Sequence, residues 1–339
     1  MHPAPQPPTT VGELSEGEIL ERILTRLHPS EPRAEYSADE VGPGDDAAVI
    51  DVPGAVVATT DTLVHGPDFR LAWSSGFDLG WKAAAVNLAD VAAMGARPTA
   101  LLVALAMPDD TRVAFVEELA DGLRAACEHL SPGCRVVGGD LTVSATLTIA
   151  VTALGSLEGR RPVRRSGARP GDVLALAGAA GQAARGLEVL FDRFSDAEGA
   201  TPIDMGLLDA VDAGAVRAQL RPVPPIGRGS AAADAGATAM MDVSDGLAID
   251  AGRLAAASGV RLEIAGDALG EHRRWAITGG EDHGLLATFP AGAELPGGFR
   301  IIGTVHARDG GAAVRVDGEA VKGGWDPYRD WDGRTGAIG

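Results

Sequence analysis

Ala239-Met240-Met241-Asp242-Val243-Ser244-Asp245-Gly246 is the stretch from which the fold is read. An apolar run suited to a buried strand ends in a carboxylate, and a hydroxyl and a second carboxylate follow before the helical pattern that begins at Gly246. Backbone N–H groups and the helix dipole at such a junction are placed to meet a phosphate. The plain alternative is an elaborate helix cap, which needs only one carboxylate. Two other apolar runs reach aspartate in the same way: Val56 to Ala58 through Thr59 and Thr60 to Asp61, and Val136-Val137-Gly138-Gly139-Asp140. Gly42-Pro43-Gly44-Asp45-Asp46 adds a further pair. Ligands of α/β proteins collect at strand ends, so repeated carboxylates there imply one shared polar site. Oxygen donors of this kind suit magnesium, which binds through one or two carboxylates together with substrate phosphates. The expectation is a metal-dependent enzyme acting on phosphates.

Composition narrows the field. A chain of 339 residues with 45% apolar, 22% charged and 4% aromatic residues is that of a soluble globular protein, with a soft expectation of two domains. Its 29 basic and 47 acidic residues leave a net charge of −18, which repels a nucleic-acid backbone over most of the surface. A phosphate substrate therefore needs metal ions or a few local basic groups. Cys127 and Cys134 lack the second pair that a zinc site would require and are expected as thiols in a reducing compartment. The start, Met1-His2-Pro3-Ala4-Pro5-Gln6-Pro7-Pro8, has no basic or apolar region and reads as a Pro-rich flexible tail over residues 1–12, not a secretory signal. The longest apolar run, near Ala100 to Met107, falls far short of the roughly 20 residues of a membrane helix, so no membrane association and a cytoplasmic location are expected.

Ser15 with Glu18 forms a capping-box pattern ahead of Ile19, Ile23, Leu24 and Leu27, which predicts a first helix. A loop over Glu31 to Asp45 precedes two short strands, Ala47 to Asp51 and Ala55 to Ala58, read as a hairpin around Pro53-Gly54, with Asp61 just beyond it. Asp78 caps a predicted helix to Met94, with Gly95 in the left-handed position that ends it. Lys82, Asn87 and Asp90 stand out on this alanine-rich helix, which is read as buried against a sheet with its polar residues gathered at a site. A strand Thr99 to Ala106, a helix Asp110 to Leu130, and strands Arg135 to Val137 and Ala145 to Leu154 complete a first domain over residues 13–157. The basic stretch with Arg160, Arg161, Arg164 and Arg165 marks the boundary to a second, α/β domain over residues 158–339. That half is predicted to hold strands at Asp172 to Ala177, up to Asp242, Val260 to Ile264, Leu285 to Thr288 and Ile301 to Val305. Helices are expected after Gly181, over Ile203 to Leu220, over Gly227 to Ala235 and over Gly246 to Ala257. The fold class is α+β, without the strict βα alternation of a dinucleotide fold.

No GxxxxGK[ST] loop, GxGxxG after a strand, HExxH or GxSxG occurs, so nucleotide binding requires another architecture. The histidines are scattered, and none has an evident partner in the sequence.

Taken in order, a set of motifs resembles the thiamine-monophosphate kinase family, part of the superfamily of aminoimidazole ribonucleotide synthetase. They are Gly44-Asp45-Asp46-Ala47-Ala48, Thr59-Thr60-Asp61-Thr62-Leu63-Val64, Lys82-Ala83 through Asn87-Leu88-Ala89-Asp90 to Gly95-Ala96, Gly138-Gly139-Asp140, Arg165 to Asp172, Asp242-Val243-Ser244-Asp245-Gly246-Leu247 and Gly279-Gly280-Glu281-Asp282. The resemblance implies ATP-dependent phosphorylation of thiamine monophosphate to thiamine diphosphate. It also implies a homodimer whose N-terminal domains build a shared β-barrel, with several magnesium ions at each active site. Residue by residue, it puts metal contacts at Asp46, Thr59, Thr60, Asp61, Asp90, Asp140 and Asp242, with Asp245 near a further ion. ATP contacts fall on Gly139, Asp140, Arg165 and Ser244, and thiamine contacts on Glu281 and Tyr328. Where the family usually has histidine before the phenylalanine, this chain has Asp68, a changed substrate contact beside unchanged metal aspartates. No general base is assigned, because a phosphate acceptor with a second pKa of about 6 is already ionised at neutral pH. Two alternatives stay open at this point: a cyclo-ligase of the same superfamily, and a nucleotide-binding regulatory protein without catalysis.

Overall fold

The structure, a computed structural model, describes residues 9–29, 42–43 and 47–330. Helix α1 (Glu16–Leu27) begins with the expected capping box: the Ser15 hydroxyl accepts from the Glu18 N–H, and the Glu18 carboxylate accepts from the Ser15 N–H at 2.8 Å. Just before it, Val11 is buried and its N–H donates to the Thr111 carbonyl at 2.8 Å, which seats the end of the stretch read as a tail. Residues 30–41 and 44–46, which hold most of the expected loop and the Asp45-Asp46 pair, lie outside the described residues.

Strand β1 (Val56–Val64), helix α2 (Gly76–Ala93), strand β2 (Arg97–Met107), helix α3 (Val113–Leu130) and strands β3 (Arg135–Val143) and β4 (Thr148–Ser156) form the first half. The strands lie in the order β1-β4-β2-β3, antiparallel except for β2 with β3. The expected hairpin is corrected: β1 pairs with β4, and no strand over 47–51 occurs among the described residues. Asp61 thus lies inside β1, and Asp140 inside β3, which runs six residues past its expected end at Val137. Within one chain the sheet is open, with β1 and β3 as its edges among the described residues.

Helices α2 and α3 cover one face of this sheet. They approach closely because a methyl at Gly122 would overlap the Phe77 carbonyl and one at Gly80 the Leu119 carbonyl. Helix α2 is buried along nearly its whole length, with Ala83, Ala84, Ala85, Leu88 and Ala89 at 0% exposure. Such a helix is apolar over most of its surface because it has almost no solvent side. Met94 ends it, and Gly95 follows at φ 77°, as expected. Cys127 and Cys134 are buried free thiols.

The second half contains β5 (Val173–Ala177), α4 (Gln182–Arg193), a small hairpin of β6 (Ser195–Asp196) and β7 (Gly199–Ala200), α5 (Ala210–Leu220), α6 (Gly227–Asp234), β8 (Ala239–Val243), α7 (Leu247–Ser258) and β9 (Val260–Ile264). It continues through α8 (Arg273–Thr278), β10 (Gly284–Phe289), β11 (Phe299–Ala307), β12 (Val314–Val316), β13 (Glu319–Ala320) and a closing turn of helix, α9 (Pro327–Asp330). The sheet order is β13-β12-β9-β11-β5-β10-β8, and only β12 with β9 is parallel. The helix expected over Ile203 to Leu220 starts only at Ala210, where the Asp209 side chain accepts from the Val211 and Asp212 N–H groups. Overall the architecture is mixed α+β.

Helix α2 also packs against β8 and α6, which brings the two halves together along it. Three polar contacts fasten its N-terminal part to the end of α5: Trp81 Nε1 donates to the Pro222 carbonyl at 2.7 Å, Arg221 pairs with Asp78 at 3.1 Å, and Lys82 meets Gln219.

Candidate active site

Four of the expected oxygen ligands converge where β1, α2 and β8 meet. Thr59 and Asp61 alternate with Thr60 along β1, so both face α2. The Thr59 hydroxyl donates to Asp90 at 2.9 Å, and the Asp61 N–H donates to Asn87 Oδ1 at 3.1 Å. Asn87 is itself anchored through its amide to the Ala83 carbonyl, 2.9 Å, inside the helix. Asp242, buried at the end of β8, bonds His283 Nδ1 at 3.1 Å.

The electrostatics follow from this crowding. Burial, then the charges of Asp242 and Asp61, push the Asp90 carboxyl up to about 7. Burial also raises Asp61, which the neighbouring Asp242, Asp245 and Glu281 reinforce and His283 opposes. Burial pulls the His283 imidazole down, but its bond to Asp242 and the charges of Asp242, Glu281 and Asp90 together outweigh that and leave it raised. A bound cation would relieve the repulsion among these carboxylates, and an all-oxygen donor set fits magnesium. Among the described residues, no three His, Cys, Asp or Glu side chains converge enough to hold an ion alone. That is compatible with a metal that keeps waters and substrate phosphates in its shell.

Beside the carboxylates opens a cleft of about 940 Å³ including its mouth. Phe69, Trp73, Leu187, Leu190 and Phe191 form an apolar wall, and Asp68, Lys82, Gln219, Ser244 and Glu281 a polar end. Trp73 and Phe191 meet edge to face at 5.0 Å, and the Arg70 guanidinium lies 5.8 Å from the Trp73 ring centroid. Trp73 is fixed by a bond from its indole N–H to the Phe194 carbonyl, 2.9 Å. Asp68 turns back to accept from the Val64 N–H at 2.7 Å, and burial raises its carboxyl despite that bond.

The loop Gly279-Gly280-Glu281-Asp282-His283 is held in three directions. Glu281 pairs with Lys82, Asp282 Oδ1 accepts from the Ala183 N–H at the start of α4 at 2.9 Å, and His283 reaches Asp242. Glu281 and His283 both have positive φ, 73° and 52°, an uncommon backbone for residues with side chains. A methyl at Gly280 would overlap the Ser244 carbonyl, so this loop lies directly on the Asp242–Asp245 turn.

Other expected residues lie elsewhere in the single chain. Thr60 and Asp140 are on the opposite, open face of the first sheet from Asp61, and Gly139 is on the far edge strand. The Thr60 hydroxyl is spent on the Val151 carbonyl, 2.9 Å. Arg165 is exposed, and Ser258, at the far end of α7 from Asp245, donates to its carbonyl at 2.9 Å. With 12 residues, α7 separates the two by about 18 Å. Asp245 pairs with Arg253 at 2.5 Å. Tyr328 is 98% exposed, and Trp325, three residues earlier, lines the cleft in its place. Asp46 lies outside the described residues. Sequence reasoning missed His283, whose partner Asp242 lies 41 positions away, and placed Lys82 among the polar residues gathered at a site without identifying its partner Glu281.

Comparison with known proteins shows which family the chain resembles. Residues 44–157 match the family described as AIR synthase related protein, N-terminal domain. The chain is 38% identical over 348 aligned residues to a thiamine-monophosphate kinase of Mycobacterium tuberculosis, an alignment covering 97% of this chain and 96% of that protein. Its fold is similar to the crystal structure of thiamine-monophosphate kinase from Stenotrophomonas maltophilia, with a TM-score of 0.74 and 32% identity over 91% of this chain and 98% of the other. It is also similar to AaThiL complexed with AMPPCP and TMP, with a TM-score of 0.69 and 30% identity over 94% and 98% of the two chains.

Proposed function

We propose that this chain, which belongs to the thiamine-monophosphate kinase family, transfers the terminal phosphoryl group of ATP to thiamine monophosphate, in line and with magnesium, to give thiamine diphosphate. The observation that carries the reading is the juxtaposition at the domain junction: an aromatic cleft with carboxylates at its polar end opens beside a cluster of buried oxygen donors. Thiamine monophosphate is a cationic heteroaromatic carrying a phosphate, and its rings and its positive charge each find a complement there. The aromatic wall stacks on its rings. Asp68 and Glu281 offer negative charge to the cation and hydrogen-bond acceptors to its amino group.

Phosphoryl transfer through a loose transition state requires alignment and neutralisation of charge more than covalent catalysis. Thr59, Asp61, Asp90 and Asp242 would hold magnesium, which when bound neutralises phosphate charge. The residues of the chain do the rest. His283 fixes the Asp242 carboxylate, and Asn87 holds the Asp61 backbone against α2. The Trp73 and Phe191 wall excludes water from one side of the acceptor. The acceptor oxygen is ionised at neutral pH, so no side chain has to remove a proton from it.

The active unit we propose is a homodimer in the cytoplasm. The open face of the first sheet carries Val56 and Leu102 at 52% and 38% exposure, together with Thr60 and Asp140. Pairing it with the same face of a second copy buries this apolar surface and encloses Gly139 and Asp140 in the interface, where they and Arg165 are proposed to serve ATP. Purified protein incubated with ATP, magnesium and thiamine monophosphate is expected to yield thiamine diphosphate. Absence of product with a correctly folded protein refutes the assignment.

A further inference from the structure

Lys82 is a charged residue in the most deeply buried helix of the molecule. Its side chain is 5% exposed, its neighbours Ala83, Ala84 and Ala85 are wholly buried, and an apolar residue there would suit the helix. Removing an ammonium from water is costly unless it is paired and hydrogen-bonded. Its partner is Glu281, whose backbone is itself in an uncommon positive-φ conformation. In the amide orientation that its surroundings require, Gln219 completes the arrangement: its carbonyl faces the ammonium at 3.2 Å, and its NH2 donates to the Ala183 carbonyl at 3.2 Å. Two unfavourable features therefore meet in one contact, and that contact faces the cleft. The Glu281 side chain remains 38% exposed, so one edge of its carboxylate is open to a ligand.

We propose that Lys82 is a substrate-positioning residue that acts through Glu281, holding its carboxylate aimed into the aromatic cleft to receive the cationic base of thiamine monophosphate. The contact joins α2 of the first half to the Gly279–His283 loop of the second, so this edge of the cleft exists only when the halves are docked. Burial acts to raise the Glu281 carboxyl, but Lys82 and then His283 outweigh it and keep it below its ordinary range. An unpaired Glu281 would be free to turn toward water or take up a proton, and either change removes the negative end of the cleft.

This role rests on the substrate reading above, and the test separates the two. Trp73 and Trp325 line the cleft, so their fluorescence reports thiamine monophosphate binding without ATP or metal. K82M, which keeps length and helix propensity, is expected to weaken that binding roughly tenfold or more, the effect of losing a charged hydrogen bond. E281Q should weaken it to a similar degree, and the K82M/E281Q double variant should be no worse than either single one. Affinity for a non-hydrolysable ATP analogue should stay within about twofold of wild type in all three, which a general loosening of the domain junction would not allow. Unchanged binding by K82M, losses that multiply in the double variant, or an equal loss of nucleotide affinity each overturn the proposal. Wild-type protein that binds no thiamine monophosphate overturns the substrate reading and this role with it, whereas wild-type binding matched by K82M overturns the role alone.

Discussion

Gly280→Ala tests the site through a single methyl group. A Cβ at this position falls 2.8 Å from Asp245 Cα and overlaps the Ser244 carbonyl group, all of them backbone atoms with no side chain to swing away. Either the Gly279–His283 loop or the Asp242–Asp245 turn must shift by about an ångström to restore van der Waals contact. That shift breaks the bond from the Glu281 N–H to the Ser244 carbonyl, now 2.9 Å, a loss of about 1 kcal/mol. Overpacking adds about 1–3 kcal/mol. The larger effect is on chemistry, because a misplacement of this size costs about a hundredfold in rate. Steady-state kinetics with thiamine monophosphate should show kcat/KM down by about two orders of magnitude, alongside a melting temperature lowered by several degrees. Gly252→Ala, in α7 with open space around the added methyl, is the control and should be neutral or stabilising by up to about 1 kcal/mol. A Gly280→Ala enzyme within twofold of wild type would refute the argument that this loop and the aspartate turn form one rigid unit.

Chelation with EDTA should abolish turnover and added magnesium restore it, while circular dichroism stays native; undiminished activity in excess chelator would remove the metal from the mechanism. Asp61→Ala should abolish turnover and leave the secondary structure intact, since Asp61 lies beside Asp90 and Asp242 rather than in an apolar core; wild-type rates would exclude it from the metal set. Trp73→Ala opens the cleft wall and strips an edge-to-face partner from Phe191, so we expect a stability loss of about 3–5 kcal/mol in urea titrations and weaker thiamine monophosphate binding. Leu102→Glu puts a charge on the open face of the first sheet and should yield a monomer by light scattering; a persistent dimer would locate the interface elsewhere.

Most helices were readable in the sequence because their signals are local, although Ser75 and not Asp78 caps α2 and α8 had no evident signal. The Ser15–Glu18 capping box and the Gly95 terminator stand within a turn of the segments they bound. The strands were readable only in their apolar parts. Thr59-Thr60-Asp61-Thr62 and Gly138-Gly139-Asp140 resemble turns by composition, yet pairing with β4 and β2 carries both through as strand. The same effect hid which face each aspartate takes. Asp61 and Asp140 both follow apolar runs, but side chains alternate across a sheet, and cross-strand register puts them on opposite sides. Lys82 and Glu281 lie 199 positions apart, so neither residue's neighbourhood contains a trace of the other. Local patterning singled out Asp90 and Asp242, the resemblance to a family added Glu281, and Trp325 emerged only from the geometry.

Helix α2 has a metric consequence. Lys82 lies at the aromatic cleft, Asn87 under Asp61 and Asp90 among the carboxylates, so one helix marks out the candidate site from end to end. Eight residues at 1.5 Å each set the interval between the aromatic cleft and the carboxylate cluster at about 12 Å along the axis. A helix is a stiff ruler where a loop would be a slack tether. The spacing between the cleft and the carboxylates is therefore built into backbone hydrogen bonding, and a single residue inserted between Lys82 and Asp90 would turn one end by about 100° relative to the other.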